Sequence, residues 1–139
     1  MAIQDLNYTY DPVHNVVQMT DLAQQTVYFA GNVTSGTQLF EYDAVYRLVH
    51  ASGREQPGQV GYALGPDGYP EPGLSAIPHR NDLQALLAYT EDYVYDAVGN
   101  LLSTVHKAGG SGFTRTQTYA PGSNRIATVS MPGDPANGP

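Results

Sequence analysis

"YVYDAVGNLLSTV", residues 93–105, spells out one β-hairpin. Tyr93 and Tyr95 alternate with other residues, so a period of two places both rings on one face of a strand. Asp96 can accept a hydrogen bond from a backbone N–H two residues on. Ala97 and Val98 suit the central positions of a type I turn, and Gly99 suits the left-handed position that closes a bulged hairpin. Leu101 and Leu102 then open the return strand.

The same frame recurs in "YTYDPVHNVVQMT" (8–20), "FEYDAVYRLVHAS" (40–52) and "QTYAPGSNRIATVS" (117–130). Tyr10, Tyr42, Tyr95 and Tyr119 share the reference position. Asp11, Asp43 and Asp96 follow in three units, and Ala120 in the fourth. Five residues past the tyrosine stand Asn15, Arg47, Asn100 and Asn124; seven past it stand Val17, Val49, Leu102 and Ile126. The tyrosines are 32, 53 and 24 residues apart, so these are related units with insertions rather than a tight solenoid. Pro12 fits the second turn position because its φ is already correct. His14 and Tyr46 occupy the place of Gly99, where a side chain at positive φ costs about 1 kcal/mol. The sequence therefore predicts either a different turn there or side-chain packing that offsets the strain. Ala120 cannot make the aspartate's bond, which predicts a wider loop over 120–124.

Composition narrows the function. Thirteen acidic and six basic residues give a net charge of −7, with the basic residues scattered singly. Neutralising phosphates needs clustered Lys and Arg, so nucleic acid is excluded as a partner. Eleven tyrosines, no tryptophan, fifteen glycines and ten prolines favour short half-buried strands and many turns. No stretch has the length of a membrane span, the N-terminus does not read as a signal peptide, and without cysteine there is no disulfide framework.

Residues 54–92 interrupt the hairpins. The first half is rich in glycine and proline and reads as surface loop. In "PHRNDLQALLAYTE" (78–91), Asn81 and Gln84 have capping-box spacing before Leu83, Leu86 and Leu87. That spacing predicts a short helix over about 82–90, with one apolar face able to cover the sheet.

Chemical sites are hard to build from what remains. His14, His50, His79 and His106 share no short metal-ligand spacing and read as ordinary surface or turn histidines. Glu91, Asp92 and Asp96 lack the alternating oxygen ligands of a calcium loop and read as solvated charge. "GPDG" (65–68) and "GGSGF" (109–113) lack the Lys-Ser/Thr ending of a phosphate loop and read as turns. No nucleophile, base and orienting group converge, so no catalytic, cofactor or metal residue is assigned. The tyrosine stripe could stack on sugar rings; its constant register favours a ladder within the repeat, where aromatic cross-strand pairs give roughly 0.2–1 kcal/mol each.

These residues resemble the YD repeat of the RHS-repeat family, whose pattern is Tyr-Asp, a glycine three residues beyond the Asp, then Asn or Arg and an apolar residue. "YVYDAVGNLL" (93–102) is an almost complete match; "FEYDAVYRLVHASGRE" (40–55) has Tyr46 for the glycine. "GREQPGQ" (53–59) and "NDLQALLAYTEDYVYDAVGNLL" (81–102) are similar to the RHS portions of bacterial insecticidal toxin-complex B and C components. The resemblance covers roughly residues 6–130. It implies an all-β fold in which antiparallel hairpins form a twisted open sheet, a section of a hollow shell secreted as part of a bacterial toxin. In the parent protein such a shell encloses a toxic C-terminal polypeptide. The family's self-cleaving end has no counterpart in "PGDPANGP" (132–139), so the resemblance implies an excised or truncated wall section without enzyme activity.

The expected organisation is therefore repeats 1 and 2 over 6–53, the insertion over 54–92, repeats 3 and 4 over 93–130, and a flexible tail over 131–139. The repeat-bearing residues are Tyr10, Asp11, Asn15, Tyr42, Asp43, Arg47, Tyr95, Asp96, Gly99, Asn100, Tyr119 and Asn124. Expected partners are other shell segments or a second copy through open strand edges, and the enclosed toxin polypeptide. A second reading makes the tyrosines and the 54–88 loop a module that binds a glycan or protein.

Overall fold

A computed structural model describes residues 2–57, 63–64, 70–71, 82 and 84–130. Each of the four repeats is a hairpin: β1 (Leu6–Tyr10) with β2 (Val16–Asp21), β5 (Thr37–Tyr42) with β6 (Leu48–Glu55), β9 (Leu87–Tyr95) with β10 (Leu101–Ala108), and β11 (Ser111–Tyr119) with β12 (Ile126–Val129). They join side by side into one antiparallel eight-stranded open sheet, ordered β1-β2-β5-β6-β9-β10-β11-β12. Every hairpin turn lies on the same rim, and the connections between hairpins lie on the other. Two small hairpins stand in those connections. The first pairs β3 (Val27–Phe29) with β4 (Asn32–Thr34), turns through Ala30 and Gly31 at positive φ, and lays β4 against β9. The second pairs β7 (Ala63–Leu64) with β8 (Pro70–Glu71).

The helix expected over about 82–90 is absent. Asp82 forms a turn in which its Oδ1 accepts the Gln84 N–H and its carbonyl accepts the Ala85 N–H. From Leu87 the chain is already β9. The reason is the alternation Leu87, Tyr89, Glu91, Tyr93, Tyr95, which matches a strand and is paired on both sides by β6 and β10. Strands β6 and β9 thus reach Glu55 and back to Leu87, which shortens the insertion expected over 54–92 to 56–86. Asn81, Leu83, most of that insertion and the tail at 131–139 fall outside the described residues.

Cross-strand pairing assigns the two faces. Leu6, Tyr8, Met19, Gln38, Phe40, Ala51, Tyr89, Glu91, Tyr93, Thr104, His106 and Phe113 share one face. Asn7, Thr9, Thr20, Thr37, His50, Ser52, Thr90, Asp92, Lys107, Thr114, Thr116 and Thr128 share the other. One face is therefore aromatic and the other is rich in threonine. Among the described residues the buried apolar side chains are Ala51, Pro57, Ala85 and Ala108, and no large side chain is fully enclosed.

Candidate functional site

Two constellations concentrate the polar chemistry: the rim of turns and a buried cluster on the aromatic face. In the first three turns one bonding pattern repeats. Asp11 N–H donates to the Asn15 carbonyl at 2.9 Å, and Asp11 Oδ1 accepts the N–H groups of Val13 and Asn15 at 3.0 and 2.8 Å. Its Oδ2 accepts Asn15 Nδ2 at 2.8 Å. Asp96 makes the same set with Val98 and Asn100. Asp43 makes it with Val45 and Arg47, whose Nε reaches Asp43 Oδ2 at 2.7 Å. One carboxylate thereby fixes two backbone donors and the residue five past the tyrosine.

These bonds decide the strain question. His14 and Tyr46 lie at φ 72° and 66°, alongside Gly99 at 95°, so all three turns are of one type. Both side chains are exposed, so packing does not offset the strain; the aspartate's bonds do. The fourth turn is one residue longer, as its alanine predicts. Ala120 N–H donates to the Arg125 carbonyl, Gly122 takes φ 66°, and Ser123 Oγ accepts the Arg125 N–H.

The turn carboxylates sit below the usual aspartate range. For Asp11 and Asp96 partial burial pushes upward, and it is outweighed by the asparagine side chain and the backbone donors. For Asp43 the backbone N–H of Arg47 is the largest cause. A folded-state value below the unfolded one gives stability that is present above the unfolded value, about 3.9, and lost as pH falls through the folded value. The urea midpoint is therefore expected to drop below about pH 4, and to drop less in a variant with Asp11, Asp43 and Asp96 all changed to alanine. Equal acid slopes in parent and variant would show that these carboxylates do not set the acid limit.

The repeat tyrosines bind neighbouring hairpins together. Tyr42, at the end of β5, donates its hydroxyl to the Val16 carbonyl at the start of β2 at 3.0 Å. Tyr119 does the same to the Leu101 carbonyl at 2.9 Å. Between hairpins 2 and 3 the clasp differs: the Arg47 guanidinium lies 4.9 Å from the Tyr95 ring centre and donates to the Asp96 carbonyl at 3.0 Å. Asn100 also reaches Asn124 Oδ1 at 3.3 Å. Three of the four tyrosines are thus half-buried and engaged along the sheet, which leaves little of the stripe to stack on a sugar. Tyr10, on the outer strand, is exposed.

The second constellation was not legible as a site. His106 is 4% exposed, and both its ring nitrogens face carboxylates. Nδ1 lies 3.0 Å from Glu91 Oε1, and Nε2 lies 3.1 Å from Glu55 Oε2. The imidazole is sandwiched between Tyr89 and Phe113, with ring centres 5.4 and 4.9 Å away. Tyr93 donates its hydroxyl to Glu91 Oε2. Burial first, then that bond, holds the Tyr93 phenol well above the usual range; burial and the charges of Glu91 and Glu55 push Tyr89 the same way. On the opposite face His50 Nδ1 meets Asp92 Oδ1 at 2.7 Å. The expectation of ordinary surface histidines and solvated acids is therefore corrected for His106 and Glu91, while His50 and Asp92 form a pair at the surface. Glu55 and His106 are 51 residues apart, and only strand pairing brings them together. The alternation of Tyr89, Glu91 and Tyr93 was the one available signal.

No family model matches the chain. Toxin subunit YenC2 of Yersinia entomophaga is 35% identical over 140 residues, which cover 98% of this chain and 14% of that subunit. Toxin subunit YenC1 of the same organism is 34% identical over 137 residues, covering 96% of this chain and 13% of the subunit. Among solved structures, a chain of the TcdB2–TccC3–Cdc42 complex matches at TM-score 0.66 and 31% identity, over 89% of this chain and 6% of the other. A chain of the Photorhabdus luminescens Tc holotoxin pore matches at TM-score 0.68 and 27% identity, over 96% of this chain and 6% of the other. This chain therefore spans a small part of each protein it matches, while the likeness runs through nearly all of its own hairpins. The chain is thus similar to RHS-type components of bacterial toxin complexes.

Proposed function

We propose that the chain is a non-enzymatic section of the wall of an RHS-type shell, which in its parent protein encloses a toxic C-terminal polypeptide for delivery outside the producing cell. The observation that carries this reading is the open eight-stranded sheet with two chemically different faces. Eight strands join through repeated clasps, yet among the described residues the buried apolar side chains are no larger than proline. A globular domain closes two layers over a larger apolar core. A wall needs only lateral continuity and two chemically different faces, and this sheet has both. The toxin-subunit relatives support the same reading.

The test is protease protection of the polypeptide encoded beyond this segment in the natural gene. In the complete gene product that polypeptide is expected to survive a protease dose that digests it in free form. Deleting hairpin 3 (residues 87–108) should open the wall and expose it. Equal digestion with and without the deletion would sink the encapsulating role.

A further inference from the structure

Away from the outer strands β1 and β12, nearly all the exposed large apolar side chains among the described residues lie along the two rims of the sheet. On the turn rim Val13, Val45 and Val98 hold the same place in three successive turns, and each is at least half exposed. Successive turns are two strands apart, so these valines recur about every 9.6 Å. Tyr46 stands exposed beside Val45. On the other side of the sheet, the connection 22–36 exposes Leu22, Tyr28 and Val33. Tyr28 and Val33 are a cross-strand pair on the outer face of the small hairpin, whose Thr34 is buried. A polar surface interrupted by apolar side chains on both rims marks those rims as places of contact.

The turn rim also carries strain that gains nothing within this chain. His14 and Tyr46 are held at positive φ, where Gly99 closes the same turn with no side chain at all. The aspartate's bonds would close a glycine-bearing turn equally well, since they reach only the two residues flanking that position. An exposed tyrosine kept at a place that favours glycine therefore has its use outside this stretch of sheet.

The height of the sheet identifies what lies there. Its longest strands have nine residues, which makes it about 30 Å tall. A compact 100-residue polypeptide, with a radius of gyration of about 13 Å, is roughly 34 Å across. One course of this wall is too low to close over it, so an enclosing wall must be wound course upon course. Because every hairpin turn lies on one rim, winding the strip without a flip brings the turn rim of one course against the connection rim of the next. The match to 14% of one toxin subunit leaves length for such courses.

We propose that the turn rim is a docking ledge whose occupant is the connection rim of another course of the same wall, with Val13, Val45, Val98 and Tyr46 seated against the segments that join its hairpins. This contact rests on the enclosing role proposed above. It is tested in the complete gene product by placing a benzophenone side chain at Tyr46, irradiating, and identifying the linked peptide by mass spectrometry. The link is expected to fall in a segment joining two hairpins elsewhere in the same polypeptide. Adding Val45→Asn and Val98→Asn should cut its yield at least about tenfold, because polar groups would then be buried without partners. The same two changes should leave the urea midpoint of the 139-residue chain unchanged, since both side chains face water there. No link, a link to the C-terminal polypeptide or to another subunit, or an undiminished yield in the asparagine variant would each overturn the proposal. Protease protection of the C-terminal polypeptide, measured on the same sample, separates the two readings. Protection without the link would overturn the rim contact alone, and the link without protection would remove the enclosing role while the contact stands.

Discussion

Changing His106 to leucine is expected to destabilise the sheet by about 1–3 kcal/mol, the usual cost of leaving buried hydrogen-bonding groups without their partner. The imidazole joins three strands: Glu55 from β6, Glu91 from β9, and its own β10. Without it the two carboxylates face a hydrocarbon side chain between Tyr89 and Phe113, in a site where water has little access. The loss then comes from uncompensated charge rather than from lost volume, since leucine fills much of the same space. That distinction is testable by rescue. Adding Glu55→Gln and Glu91→Gln to the leucine variant removes the charge and should restore most of the urea midpoint. A loss below about 1 kcal/mol in the single variant, or no recovery in the triple one, would mean that the cluster is not electrostatically coupled.

Changing Gly112 to alanine should cost a similar amount for a different reason. A Cβ built there lies 2.3 Å from the His106 carbonyl oxygen and 3.2 Å from the Lys107 Cα. Both are backbone atoms of the paired strand β10, so no rotamer change relieves the contact, and the strands must separate. Overpacking of this kind costs about 1–3 kcal/mol and more where backbone has to move. Gly53 offers a milder comparison, because its Cβ would meet the edge of the Tyr89 ring at 2.9 Å and a ring can swing. Gly110 has nothing within 4 Å and serves as the neutral control. Thermal melts of the three alanine variants should rank Gly112 worst and Gly110 unchanged; any other order would refute the steric account.

The turns were legible because each is a local device. Asp96, Asn100 and Gly99 sit within five residues, and their chemistry is complete without the rest of the chain. Ala120 likewise announced a different fourth turn. The failed helix at 82–90 shows where local reading stops. "LQALL" has helical spacing, but Leu87 begins a strand whose partner in β6, Glu55, lies 32 residues back along the chain. The small hairpin through Ala30 and Gly31 went unread because alanine is an unusual left-handed turn residue. The His106 cluster was invisible for a stronger reason: its members come from three strands, and an isolated histidine carries no spacing to interpret.

Keeping all hairpin turns on one rim has a practical consequence for engineering. The turn rim is tightly specified, since the carboxylates of the first three turns fix their own loops and Arg47 and Asn100 reach the turn that follows. The opposite rim already accommodates a two-residue link at 109–110, a small hairpin within 22–36 and the long segment at 56–86, all without altering how the strands align. In this chain by itself, that rim is therefore the place to graft an epitope, a fluorophore tag or a targeting peptide, while the same graft at Asp43 or Asp96 would unfasten two hairpins at once.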